Sequence, residues 1–193
     1  MAKGKRQSES RSARTLMTGV VLREAQVADA SAVAKVSVAS RRLARRGFYA
    51  DSYLENLNSE PLATEVGDFL NKPAGGWRMW VAEQAGEILA FAKAGPRTDA
   101  NSGSVAELDE LYVEPSHFRQ GIGTRLLHFV ESELAAAGFD HAILWVLEDD
   151  GAAEAFYVAN GWRAGDESKE LLKDQPRVFR LWDKTLSRAA VRG

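Results

Sequence analysis

Three successive segments fix most of what this chain can fold into: an extended stretch, a glycine turn that opens an amphipathic helix, and a wholly apolar strand after it. Residues 105–113 read as a strand closed by Pro115. Gly121 and Gly123 then open a helix with Ile122, Leu126, Leu127, Val130 and Leu134 along one face and Gly138 as its stop. In residues 142–147 every side chain is apolar. Such a strand is covered on both faces, so it belongs at the centre of a sheet with helices above and below.

The other segments add elements around that unit. Residues 20–23 form a short β-branched, apolar strand. Behind Asp29, the apolar positions Ala32, Val33, Val36 and Ala39 recur at helical spacing, and the segment ends in Arg41, Arg42, Arg45 and Arg46 before Gly47. Two short helical pieces follow at 48–57 and 62–70, the first with Tyr53, Leu54 and Leu57 on a shared face. From Trp77 the period becomes that of strands, with 77–83 and 87–94 flanking Gln84, Ala85 and Gly86 as an antiparallel hairpin. Residues 95–104 read as a polar loop, 150–160 as a last helix closed by Gly161, and 178–182 as the last strand.

With 193 residues, 45% of them hydrophobic and 27% charged, the chain has the composition of a soluble globular protein and enough length for one sizeable core. The expected organisation is a disordered basic arm at 1–18, a single domain at 19–187 and a tail at 188–193. The arm carries Lys3, Lys5, Arg6, Arg11 and Arg14 against Glu9 alone, so a net charge of −2 leaves the body acidic and argues against nucleic acid as a partner. No apolar run approaches the roughly 20 residues of a membrane span, and the arm lacks the apolar stretch of a secretory signal, so the expectation is a cytoplasmic protein without a membrane partner. The absence of cysteine excludes disulfides, thiolate metal sites and a cysteine nucleophile. His117, His128 and His141 lack paired ligand spacing, and Glu148, Asp149 and Asp150 are a charge run between strand and helix, so no metal is expected. Arg41, Arg42, Arg45 and Arg46 suit an acidic ligand, but basic residues in the last turn of a helix already complement its dipole.

The stretch Val113-Glu114-Pro115-Ser116-His117-Phe118-Arg119-Gln120-Gly121-Ile122-Gly123-Thr124 is suited to an anion. Free N–H groups face outward at a helix N-terminus, the dipole adds partial positive charge, and glycine lets a phosphate approach without a Cβ in the way. The dinucleotide pattern would need a third glycine where Leu126 stands, and the P-loop pattern would need Gly-Lys-Ser/Thr, which is absent. Taken with the acidic strand before it, the Leu111-Tyr112-Val113 run, Ala153-x-x-Phe156-Tyr157 and Asn160-Gly161-Trp162, the stretch resembles the GNAT superfamily of acyl-CoA-dependent N-acetyltransferases. The resemblance runs from about Val20 to Leu186 and takes in Leu22-Arg23-Glu24-Ala25, Asp29-Ala30 and Gly95-Pro96-Arg97.

That resemblance implies an α/β (α+β) fold. Its mixed, mostly antiparallel central sheet would have about 6–7 strands, helices on both faces, and a splayed parallel pair forming the acyl-CoA cleft between 105–113 and 142–147. It implies acetyl-CoA as cosubstrate and an amine as acceptor. Leu111 and Val113, with Tyr112 between them, would offer backbone groups to the pantetheine arm. Gly121, Ile122, Gly123 and Thr124 would cradle the pyrophosphate through their amides, flanked by Arg119 and Gln120. Phe118 stands where the family usually has Arg or Gln, and Asp150 where it often has Asn, which puts those two cofactor contacts in doubt.

The implied chemistry needs a base for the amine, a donor to the carbonyl oxygen and an acid for the departing thiolate. By resemblance, Glu107 matches the base glutamate of histone-acetylating relatives. Glu110 is the alternative, since a bulge would exchange which side chain faces the cleft. Tyr157 matches a tyrosine that many members hold near the sulfur, while Phe156 is expected to face the core. The backbone N–H of Val113 would be the oxyanion donor. A small-molecule primary amine attacking directly in a ternary complex is the favoured reading. A protein N-terminus or lysine as acceptor, and a CoA-binding regulatory domain without turnover, remain alternatives. Exposed strand edges in this architecture leave room for a homodimer.

Overall fold

The computed structural model describes residues 19–97, 104–171 and 177–187. The expected arm and tail, and the centre of the expected polar loop, lie outside the described residues. The strands are β1 (Val21–Glu24), β2 (Arg78–Gln84), β3 (Glu87–Pro96), β4 (Val105–Val113), β5 (His141–Leu147), β6 (Arg163–Leu171) and β7 (Arg177–Thr185). The helices are α1 (Ala30–Ala44), α2 (Asp51–Glu55), α3 (Ser59–Asn71), α4 (Ile122–Ala136) and α5 (Gly151–Ala159). The seven described strands make one mixed sheet in the order β1-β2-β3-β4-β5-β7-β6. Contacts gather the chain into two compact units. Among the described residues, the first takes 19–72 together with Met79–Phe91 and Leu111–Leu126; the second takes Pro73–Arg78, 92–97, 104–110, 127–171 and 177–187.

In the first unit β1 runs antiparallel to β2, Val21 opposite Glu83 and Glu24 opposite Trp80. The hairpin turn after β2 places Ala85 at φ 51° and Gly86 at φ 85°, the left-handed pair that a two-residue turn between twisted strands demands. The helical spacing behind Asp29 buries Val33 and Val36 of α1 with Val66, Met79, Val81, Ile88 and Phe91, and the half-buried Tyr112 packs against this cluster. The face expected for Tyr53, Leu54 and Leu57 does not form. Leu54 is buried, but Tyr53 is 50% exposed and stacks on Tyr49 with ring centroids 5.6 Å apart. The helix that carries it has only five residues, too few turns for periodicity to select one face.

Arg23 ties β1 to the entry of α1. Its guanidinium meets Asp29 at 2.7 Å and Glu83 at 2.7 Å, and the Asp29 carboxylate also accepts the Gln26 N–H at 2.7 Å. The Arg23 hydrogen bonds hold the Asp29 carboxyl below the usual carboxylate range, and Arg23 is correspondingly held above its own. A carboxyl depressed in the folded state stabilises above its unfolded value of about 3.9, and that contribution is lost as pH falls through the folded value. Asp29→Asn is therefore expected to cost about 2 kcal/mol near neutral pH, with the gap to wild type closing as melts are taken below about pH 4. Thermal melts across pH 2–7 measure this, and a constant gap would assign the loss to packing.

In the second unit β4 and β5 are parallel, with Val105, Ala106 and Glu107 opposite His141, Ala142 and Ile143. The register ends there, while β5 stays paired with β7 along its whole length, from His141 opposite Thr185 to Leu147 opposite Phe179. Among the described residues, 108–110 and 144–146 thus form no ladder with each other. Ala142, Ile143, Leu144, Val146 and Leu147 are buried, as a wholly apolar strand requires, along with Leu127, Val130 and Leu134 of α4. Strand β3 extends past Ala94 through Gly95 and Pro96, so the expected loop begins two residues late. A Cβ on Gly95 would lie 2.6 Å from the Trp77 ring and 2.8 Å from its Cα, which is why glycine stands there. Strand β6 was not expected. It is polar, pairs with β7 across a register shift between Ala164 and Ser168, and lies at the sheet edge, where backbone bonding and charged side chains need no apolar alternation.

Candidate active site

Apart from Asp150, the residues expected to hold the cofactor lie in the first unit. Strand β4 ends at Val113, and the Glu114 N–H donates to the Leu89 carbonyl at 2.7 Å. Glu114 then caps a single 3-10 turn, Pro115–His117, accepting from the Ser116 N–H at 2.7 Å, from the Ser116 hydroxyl and from His117 Nδ1 at 3.4 Å. The Ser116 hydroxyl, more than any other neighbour, holds the Glu114 carboxyl below its usual range. The chain next passes through two left-handed residues, Arg119 at φ 62° and Gly121 at φ 79°, and enters α4 at Ile122. The Arg125 N–H donates to the Gly121 carbonyl at 3.1 Å as the first helical bond. The amides of Gly121, Ile122, Gly123 and Thr124 therefore precede the first intrahelical donor, as an anion cradle requires.

Side chains around the cradle have local duties. Gln120 donates to the Ser116 carbonyl at 3.2 Å, Arg119 and Phe118 are exposed, and Arg125 donates to the Val20 carbonyl at 3.2 Å. Tyr112 turns its ring inward, 5.7 Å from Phe91 and 5.4 Å from the Arg41 guanidinium, so only its backbone is available on the other side of the strand. The arginine cluster is more differentiated than dipole complementarity suggests. Arg42 donates to the carbonyls of Leu54, Glu55 and Leu57 at 3.1, 3.1 and 2.7 Å, capping α2 from outside, while Arg45 lies over the Tyr49 ring at 5.9 Å.

The residues expected to move protons lie in the second unit. Glu107 and Glu110 are half-buried on β4, and Asp109 between them is exposed and bound to Lys93 at 2.9 Å. Tyr157 is half-buried on α5. Its ring meets Phe156 at 5.1 Å, Trp162 at 5.9 Å and Trp182 at 6.5 Å. Phe156 is half-buried rather than a core residue, because its helix has no fully buried position and its ring leans edge-on against Tyr157. Asp150 caps that helix, one carboxylate oxygen accepting from the Ala153 N–H at 3.1 Å. Among the described residues no group of three or more His, Asp or Glu side chains could hold a metal ion, and no helix is long and apolar enough to cross a membrane.

A family model, the Acetyltransferase (GNAT) family, matches residues 42–162, more than half of the chain and all of the glycine turn. The chain belongs to the GNAT acetyltransferase family. A Mycobacterium tuberculosis protein named probable N-acetyltransferase Rv2775 is 29% identical to this GNAT chain over 140 residues, covering 72% of it and 78% of the relative. The Bacillus subtilis protein named uncharacterized N-acetyltransferase YuaI is 27% identical over 159 residues, 79% of this chain and 86% of the relative. Among solved structures, the PaiA N-acetyltransferase of Thermoplasma acidophilum, in complex with coenzyme A, superposes with a TM-score of 0.67 at 19% identity. That match covers 87% of this chain and 99% of the other. YncA of Salmonella typhimurium, solved with acetyl-CoA, gives 0.66 at 16% identity over 91% and 99% of the two chains. The mixed seven-stranded sheet with its parallel β4–β5 pair is thus the GNAT fold.

Sequence reasoning missed the polar cluster behind Tyr157. Glu131 of α4 receives Trp162 Nε1 at 2.8 Å and Lys184 Nζ at 2.7 Å, and Lys184 also donates to the Asn160 carbonyl at 2.7 Å. Its members come from a helix, a turn and the last strand, and no local pattern links them.

Proposed function

We propose that this GNAT chain transfers the acetyl group of acetyl-CoA to a primary amine of a small molecule, by direct attack within a ternary complex. The observation that carries the reading is the turn before α4, where Arg119 and Gly121 adopt left-handed conformations and bring four successive amides to a helix N-terminus. A diphosphate fits such a cradle because glycine leaves both entry positions without a Cβ. When bound, acetyl-CoA supplies a thioester whose carbonyl carbon is open to an amine. Gly121, Ile122, Gly123 and Thr124 hold the diphosphate by their N–H groups, with Arg119 beside them as a cation. The backbone of Leu111 and Val113 receives the extended arm, and the Val113 N–H faces the carbonyl oxygen. Phe118 and Asp150 contribute no phosphate contact in this reading.

Glu107 accepts the proton of the ammonium acceptor, directly or through water, with Glu110 as the alternative carboxylate. Tyr157 donates its phenolic proton to the departing sulfur. An alkylammonium with a pKa near ~10.4 is almost wholly protonated at neutral pH, so the base matters most when the acceptor cannot shed its proton unaided. Glu107→Gln is accordingly expected to lower kcat/KM about tenfold near pH 6.5 and progressively less as pH rises toward 9. A pH-independent loss would make Glu107 a substrate-binding or structural residue, and the same profile in Glu110→Gln would transfer the role.

A thiol-release assay with acetyl-CoA over polyamines, amino acids, aminoglycosides and peptides tests the function itself. Turnover confined to the small amines supports the proposal. Turnover confined to peptides makes the acceptor a protein N-terminus or lysine, and binding of acetyl-CoA without turnover on any amine makes the chain a CoA-binding regulatory domain.

A further inference from the structure

We infer that Glu131 is a positioning residue for Tyr157, acting through Trp162 and Lys184. The inference rests on the reading of Tyr157 as the proton donor to the leaving sulfur. All four residues belong to the second unit.

The Tyr157 backbone is held at the end of α5 by its own carbonyl, which accepts the N–H groups of Asn160 and Trp162 at 3.0 Å each. Asn160 adds a side-chain bond from Nδ2 to the Phe156 carbonyl at 2.8 Å. This helix end is not free-standing, because Lys184 Nζ grips the Asn160 carbonyl at 2.7 Å from β7. The ring of Tyr157 is gripped separately, edge-on to Trp162 at 5.9 Å and 67°, and beside Trp182 at 6.5 Å.

Glu131 joins the two grips. One carboxylate oxygen accepts Trp162 Nε1 at 2.8 Å and fixes the rotation of the indole. The other accepts Lys184 Nζ at 2.7 Å and fixes the ammonium that holds the helix end. The side chains of Glu131 and Lys184 are 12% and 20% exposed, so the pair is little screened and its geometry is well defined. Both ends of the arrangement converge on the same tyrosine, one through its backbone and one through its ring. A proton donor must sit within hydrogen-bond reach of its acceptor, and small misplacements there cost rate rather than binding.

The test is a set of steady-state measurements on the full chain with Glu131→Gln, Lys184→Met and Tyr157→Phe, alone and combined. Gln offers one acceptor where two donors converge, and Lys184→Met releases the Asn160 carbonyl while leaving Glu131 to Trp162. Each is expected to lower kcat about tenfold with the KM for acetyl-CoA unchanged, and to have no further effect in the Tyr157→Phe background. If Glu131→Gln does not fold, Lys184→Met reads the same quantity. An unchanged kcat, a proportionate rise in KM, or losses that multiply with Tyr157→Phe would overturn the positioning role while leaving Tyr157 as the acid. Full activity of Tyr157→Phe alone would remove the acid, and the positioning role with it.

Discussion

Tyr157→Phe is expected to lower kcat by roughly 10- to 10³-fold while acetyl-CoA affinity changes little, because the substitution removes one hydroxyl and keeps the ring. Phe preserves the ring contacts with Phe156, Trp162 and Trp182. A phenol with an ordinary pKa near ~10 is protonated at neutral pH and can give its proton to a thiolate as it departs. Without it, the sulfur must leave as an anion or take its proton from water. Steady-state kinetics on a small amine, with calorimetric titration of acetyl-CoA, separates the two effects. Full activity would return the ring to a packing role.

Gly123→Val is expected to weaken acetyl-CoA binding by about 10²-fold or more with the fold intact. Gly123 lies in the first turn of α4, where a branched side chain would stand between the amides and an incoming diphosphate. Hydrogen bonds to a charged group are worth about 1.5–3 kcal/mol each, and the loss of two reaches about 3 kcal/mol, which converts to that change in Kd. Gly121→Ala is a useful companion, because at φ 79° it strains the backbone by about 1–2 kcal/mol without filling the cradle. Calorimetry on both variants, with circular dichroism as the check on folding, decides the matter. Unchanged affinity in Gly123→Val would remove the glycine turn from cofactor binding.

Where a local rule governs a segment, the sequence was informative. Ile122, Leu126, Leu127, Val130 and Leu134 fall on one helical stripe and are all buried, and residues 142–147, apolar throughout, form a strand paired with β7 along its length and with β4 at its start. The turn at Ala85 and Gly86 was legible because a glycine stands at a left-handed position between two apolar runs. The family motifs pointed to the glycine turn and to Tyr157. Strand β6 escaped because an edge strand carries no period of its own. The shared face expected for Tyr53, Leu54 and Leu57 rests on a spacing that a five-residue helix cannot enforce. The Glu131–Lys184 pair escaped for a third reason, since 53 residues separate partners that only the tertiary fold brings together.

Strand β7 follows β6 in the chain yet lies between β5 and β6 in the sheet. Until β7 arrives, the buried, apolar β5 is an open edge, and β6 has no strand to pair with. Strand β6 therefore cannot join the sheet before β7, and β7 must reach β5 across the 29 residues between Leu147 and Arg177. Such non-local closure is slow, and the species that waits for it exposes a flat row of unpaired backbone groups flanked by Ile143, Leu144 and Val146. Aggregation during refolding should therefore be seeded at β5. Lesions in β7 should reduce yield from refolding before they reduce the activity of molecules that have folded.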